Sequence, residues 1–142
     1  MTKRTARRGE RGQALAETGI VIVLFVMLVM GTIEFGRAWM ISNMITHAAR
    51  DGARMAATWP TRTAGAISSA DKTTIQSQVQ TEMANVMGSP TGLTATVSQT
   101  TAGTIPTVQV RVNGSVSYLF QLLPGMSSFA VDRTVTFRDE GK

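Results

Sequence analysis

Between Gly19 and Ile33 the chain runs 15 residues without a charge (GIVIVLFVMLVMGTI), and tolerating Glu17 extends the apolar segment back to Ala14, 20 residues in all. That is about the length an α-helix needs to cross the roughly 30 Å hydrocarbon core of a bilayer. A segment with no polar face must be enclosed by something, and the rest of a 142-residue chain is neither large nor greasy enough to do so. The chain is therefore expected to be membrane-attached, with room for one modest folded part and none for a multidomain enzyme.

Charge is distributed to match. Residues 1–12 hold Lys3, Arg4, Arg7, Arg8 and Arg11 against Glu10, a net of +4, whereas everything after Gly12 carries nine basic and eight acidic residues, a net of +1. The pI of about 10.8 thus belongs to a short leader and not to a basic face. With eight aromatic residues scattered along the chain, nucleic-acid binding loses its support. Basic residues ahead of an apolar helix keep that end in the cytoplasm, which predicts a single pass with the C-terminal part outside. A cleaved secretory signal is disfavoured, because Glu34-Phe35-Gly36-Arg37-Ala38-Trp39-Met40 offers no small-x-small site and Glu17 lies within the start of the apolar region. A carboxylate at that depth costs about 2.5–3.5 kcal/mol on insertion scales, so Glu17 is a candidate functional residue in need of a partner. As an interfacial residue it would instead snorkel to the headgroups.

The helix is expected to outrun the membrane. Trp39, Ile41, Met44, Ile45, Ala48, Ala49, Gly52, Ala53, Ala56 and Ala57 continue a helical stripe until Trp59-Pro60 stops it. A helix from about Ala14 to Thr58 is roughly 65 Å long, so its outer half needs cover from a domain. The small residues Ala48, Ala49, Gly52, Ala53, Ala56 and Ala57 permit close approach, either of the chain's own sheet or of another subunit. Asp51 and Arg54, three apart, are placed to pair on the solvated side.

Beyond a polar connector from Thr61 to Ala70, a second helix of about 17 residues puts Ile75, Val79, Met83, Val86 and Met87 on one face. Asp71 or a nearby Ser caps it, and Gly88 and Pro90 follow its end. Alternation then marks strands at Leu93–Val97 and Val108–Val112. Asn113-Gly114 suggests a two-residue hairpin, but pairing Val112 with Ser115 would mix polar and apolar residues on each face. Read straight through, Val108, Val110, Val112, Gly114, Val116, Tyr118 and Phe120 share one side, which predicts one long strand with Gly114 at a bend or close contact. Leu122-Leu123-Pro124-Gly125 ends it, and Phe129, Val131, Val135 and Phe137 form a last strand that Arg133 interrupts. Arg133 and Arg138 are candidates to hold that strand through Asp132 or Asp139, or to face a partner subunit. The expected fold is α+β: a long N-terminal helix packed on a small three-stranded antiparallel sheet, with a second amphipathic helix. Its parts are a leader at 1–12, the long helix at 13–60 with a transmembrane portion about 14–33, and a globular part at 61–142.

Catalytic chemistry is thin. Zero Cys excludes disulfides, thiolate metal sites and a Cys nucleophile, and the one His, His47, is expected at the surface or an interface. No phosphate loop, zinc spacing or acid/base carboxylate pair is present, so no catalytic residue, metal, cofactor or small-molecule substrate is expected.

The N-terminal third resembles the TadE-like proteins, minor pilins (pseudopilins) of the Tad, or type IVc, tight-adherence pilus of bacteria. The residues that carry the resemblance are Arg11-Gly12-Gln13-Ala14-Leu15-Ala16-Glu17, the apolar run, Ile33-Glu34-Phe35-Gly36-Arg37, and Ala48-Ala49-Arg50-Asp51-Gly52-Ala53-Arg54-Met55-Ala56-Ala57. The ending Arg133-Thr134-Val135-Thr136-Phe137-Arg138-Asp139-Glu140 is similar in a less specific way. The resemblance implies a prepilin in the inner membrane, N-terminus cytoplasmic and globular part periplasmic, cut between Gly12 and Gln13 by a prepilin peptidase and then carried into an extracellular pilus.

Glu17 becomes the fifth residue of such a mature chain, where its carboxylate would meet the new ammonium of a neighbour and set axial register. Ile20, Val23, Leu24, Met27, Met30 and Gly31 would pack the filament core, with Ala49, Gly52, Ala53 and Ala56 in further helix packing, and Glu34, Arg37, Arg50 and Arg54 as interface charges. The implied partners are the peptidase, other pilin subunits, membrane lipid and pilus platform proteins. Thr18 in place of the usual Tyr, Gln13 in place of Phe, and the length of the chain favour the minor class. Two other roles suit the same residues: a single-pass periplasmic binding or sensor protein, and a type II secretion pseudopilin.

Overall fold

The computed structural model describes residues 3–63, 65–84, 92–100, 105–120 and 127–140, with side chains from Gly12 onward. Its elements, in chain order, are helix α1 (Lys3–Ala57), helix α2 (Ser69–Ala84), and strands β1 (Thr94–Thr100), β2 (Thr107–Ser117) and β3 (Ser128–Arg138). Two compact units result, Met1–Arg37 and Ala38–Lys142.

α1 starts earlier than the sequence suggests. The leader is helical from Lys3 and continues through Gly9 and Gly12 without a break, since Arg, Ala, Gln and Glu are strong helix formers. At the other end it stops at Ala57, before Trp59-Pro60, as the missing amide of Pro60 requires. The hydroxyls of Thr18 and Thr32 donate to the carbonyls of Ala14 (2.8 Å) and Leu28 (2.9 Å), so neither needs water.

The second unit forms around the outer part of α1. Ile41, Ile45, Ala48, Ala49, Gly52, Ala53 and Ala56 recur at three- and four-residue intervals and are buried. They join Ile75, Val79 and Met83 of α2, Ala95 and Val97 of β1, the alternate valines 108, 110, 112 and 116 of β2, and Val131 of β3 in one core. Both helices lie against one face of the sheet, and the small-residue strip of α1 is spent on this internal packing. A methyl group at Gly52 would collide with Val79 Cγ2 and lie 3.8 Å from Val110 Cγ1.

α2 is preceded by Ser68, whose hydroxyl accepts from the Asp71 amide (3.1 Å) and donates to its carboxylate (2.8 Å). Ser68 is thus the cap, and the Asp71 carboxylate fixes the orientation of its hydroxyl. Val86, Met87, Gly88 and Pro90 lie outside the described residues.

The sheet is an antiparallel meander of order β1-β2-β3. β2 passes straight through Asn113-Gly114, so the parity argument holds. Gly114 has φ +151, and a Cβ there would collide with the Gly92 carbonyl, which is the close approach that keeps a side chain out. Tyr118 and Phe120 follow the end of β2 at Ser117, while Leu122-Leu123-Pro124-Gly125 lies outside the described residues. The Tyr118 ring meets that of Phe129 at a 45° tilt, with centroids 5.6 Å apart.

Polar side chains cover the other sheet face. Arg111 holds Asp132 in a two-pronged pair (3.0 and 2.6 Å), which raises the Arg111 pKa and lowers that of Asp132 chiefly through that hydrogen bonding. Arg133, on the core side, donates to Ser42 Oγ of α1 (3.0 Å). Arg133 also donates to the Asp132 carbonyl (3.2 Å), but the Asp132 carboxylate takes its hydrogen bonds from Arg111 instead, because strand alternation sends side chains 132 and 133 to opposite faces. Asp51 and Arg54 are both exposed, and the ion pairs among the described residues join other groups, Arg37–Glu34, Arg62–Asp139 and Arg111–Asp132.

Arg62, which the sequence reading passed over, closes the unit. Its guanidinium donates to the carbonyls of Ala56 and Ala57 (both 3.0 Å) and, through Nε, to that of Trp59 (3.2 Å), satisfying the end of α1. It also binds the Asp139 carboxylate at 2.7 Å with both side chains 3% exposed. Gln99 joins them, accepting from the Ile67 amide (2.9 Å) and donating to the Gly65 carbonyl (3.0 Å) and to Asp139.

Two outcomes follow for thermal unfolding of the full chain in detergent. Gly52→Ala should destabilise the second unit by about 1–3 kcal/mol through overpacking, whereas Gly36→Ala, where a Cβ meets nothing within 4 Å, should not. Asp139→Asn should cost about 3–5 kcal/mol by leaving the buried Arg62 charge unpaired.

Candidate functional site: an uncovered apolar helix and its charges

Apolar side chains are laid on every side of α1 because Ile20 to Met30 contains no polar residue to define a face. Ile20, Val23, Leu24 and Met27 are all exposed, as are Val21, Ile22, Phe25 and Leu28 between them, and no part of the most apolar 18-residue window is buried. Met30 is half-covered and Gly31 is exposed. A soluble monomer rarely shows contiguous apolar surface beyond a few hundred Å², so this segment marks a surface meant for lipid or for other helices. It is long and apolar enough to cross a membrane.

Charges bracket that surface. Glu17 is exposed on the N-terminal part of α1, close to Gly12 and Gln13, which are also exposed. A Cβ at Gly12 would meet nothing within 4 Å, so no packing demand fixes a glycine there. At the other end Glu34 is 7% exposed and accepts from Arg37 Nη1 at 3.0 Å, one helical turn away. Pairing within the turn lets both groups sit beside the apolar run without carrying a net charge into it.

The remaining expected residues divide between the two units. Ala49, Gly52, Ala53 and Ala56 are in the core of the second unit, so this strip is not open to another helix. Arg50, Arg54 and His47 are exposed on the outer part of α1. Among the described residues no group of His, Cys, Asp or Glu is gathered in a way that could hold a metal.

Residues 12–54 match the family model for TadE-like protein. The matched stretch is under a third of the 142 residues and coincides with α1 from Gly12 to Arg54, taking in Glu17, the exposed run, the Glu34–Arg37 pair and most of the strip that packs the core. Over this length the chain is similar to TadE-like proteins. No curated protein and no solved structure matched the chain.

The exposed run gives a direct expectation. Leu24→Lys combined with Met27→Lys adds about 2.5–3.5 kcal/mol per residue to insertion, enough to move the full chain from the carbonate-resistant membrane fraction to the soluble or aggregated one.

Proposed function

We propose, with the TadE-like stretch at residues 12–54 as premise, that this chain is a prepilin-like structural subunit of a Tad pilus. In this reading it is anchored in the inner membrane by α1, with the basic leader cytoplasmic and the second unit periplasmic. A prepilin peptidase removes the leader after Gly12, and the mature chain enters the pilus as a minor or initiating component, in contact with other pilin subunits and platform proteins. The observation that supports it best is the exposed apolar run on a helix that also serves as the spine of a folded unit. Such a run is at home in lipid and equally so among like helices, so transfer from membrane to filament exchanges one apolar surrounding for another.

Cleavage creates an ammonium at Gln13, four residues ahead of Glu17 on the same helix. A neighbouring subunit's new N-terminus would neutralise the Glu17 carboxylate, and since an unpaired buried charge is costly, only the axial register that pairs them is stable. The scissile bond lies within α1, so the peptidase must unwind the helix there. Gly9 and Gly12, each about 1 kcal/mol worse than Ala in a helix interior, keep that opening inexpensive.

The intact mass of membrane-extracted protein from cells with and without the prepilin peptidase tests this reading. A peptidase-dependent product starting at Gln13 is expected, and an unprocessed chain in both strains sinks it. Gly12→Ala meets no steric obstacle, so that variant should insert normally yet stay uncut. Glu17→Leu should insert and be cut but not assemble; normal piliation by this variant would count against the register role.

A further inference from the structure

We propose that the end of the second unit at which α1 enters, carrying Trp39 and Met40 on the helix and Leu119 where β2 leaves the sheet, seats in the headgroup layer of the bilayer that holds the apolar run. This rests on the membrane-anchored reading above. Three observations place these residues together. At one end β2 and β3 pair Thr107 with Arg138, and the next residue, Asp139, binds Arg62 beyond the C-terminus of α1. Further along, Val110 lies against Gly52. Arg133, the register partner of Val112, then reaches Ser42. β2 thus travels toward the N-terminal side of α1 as it runs from Thr107 to Ser117, and Leu119 emerges at the Trp39 end.

Among the described residues of the second unit Trp39 and Leu119 are the most exposed large apolar side chains, at 63% and 62%, with Met40 at 38%, against 52% for Ile105 and 39% for Phe137 at the opposite end. Trp39 is six residues beyond Ile33. As helix that separation is about 9 Å and at full extension about 20 Å, so a chain anchored by the run cannot carry Trp39 far past the headgroups. Indole, with an apolar body and an N–H, is the side chain that favours this layer. A partner helix along the second unit would instead need an apolar stripe, but toward the C-terminus the positions that continue the Trp39 face are Asn43, Thr46 and Arg50, and its apolar neighbour Phe35 lies on the membrane side. Trp39 and Met40 are also about 100° apart around α1, which suits a horizontal layer better than a second helix.

Trp39 and Trp59 are the two tryptophans, and Trp59 packs against the core. The test uses the full chain in phosphatidylethanolamine–phosphatidylglycerol vesicles containing lipid brominated near the glycerol end of its acyl chains. Tryptophan emission should fall, as expected when one of two indoles lies in the interfacial layer. That quenching should vanish in Trp39→Phe and persist in Trp59→Phe, so that one variant remains informative if the other fails to fold. Vesicle-bound protein whose quenching is unchanged by Trp39→Phe overturns the proposal. So does Trp39 quenching that disappears as the protein-to-lipid ratio rises, because a second copy then covers the residue. Protein that does not float with vesicles overturns the anchored reading, and the seating with it.

Discussion

Apolar side chains on every side of a helix have no stable arrangement in water, and α1 carries such a stretch over more than four turns. The molecule is organised by that fact. One part of the helix has been left bare for a surrounding that the chain does not supply, while another part of the same helix is wrapped by its own sheet and second helix. Helical periodicity separates the two: where polar residues return, a defined face returns with them, and Ile41, Ile45, Ala49 and Ala56 become core.

The wrapped part is held by two complementary devices. Small residues let α2 and β2 come close enough that a single methyl at Gly52 would collide with Val79, so contact is made by backbone proximity as much as by side-chain bulk. At the far end Arg62 ties the last carbonyls of α1 to Asp139, with Gln99 completing the cluster. Burying such charges is expensive unless every group is satisfied, and here the guanidinium has acceptors in three carbonyls and a carboxylate.

Much of the fold was legible because it rests on periodicity. The run from Gly19 to Ile33 announces its own surroundings, the alternation through Gly114 ruled out a hairpin at Asn113-Gly114, and Trp59-Pro60 marks the end of α1 to within two residues. The cleavage proposed after Gly12 and the role proposed for Glu17 rest on a local pattern that falls within the TadE-like match at residues 12–54. What was not legible depends on distance in sequence. Nothing near Arg62 marks it as different from the other arginines, since its carboxylate lies 77 residues away. Arg133 reads as a flaw in an apolar stripe until Ser42, 91 residues earlier, is placed beneath it.

That separation bears on the order in which the unit assembles. α1 is made first, but the strand carrying Val131 and the carboxylate of Asp139 is made last, and closing a loop of this size has an entropic cost that only the finished core offsets. During synthesis the small-residue face of α1 therefore waits, uncovered, for β2 and β3. The Arg62–Asp139 contact joins the outer end of α1 to the residue just past the last strand made, so one guanidinium serves both the earliest and the latest parts of the unit.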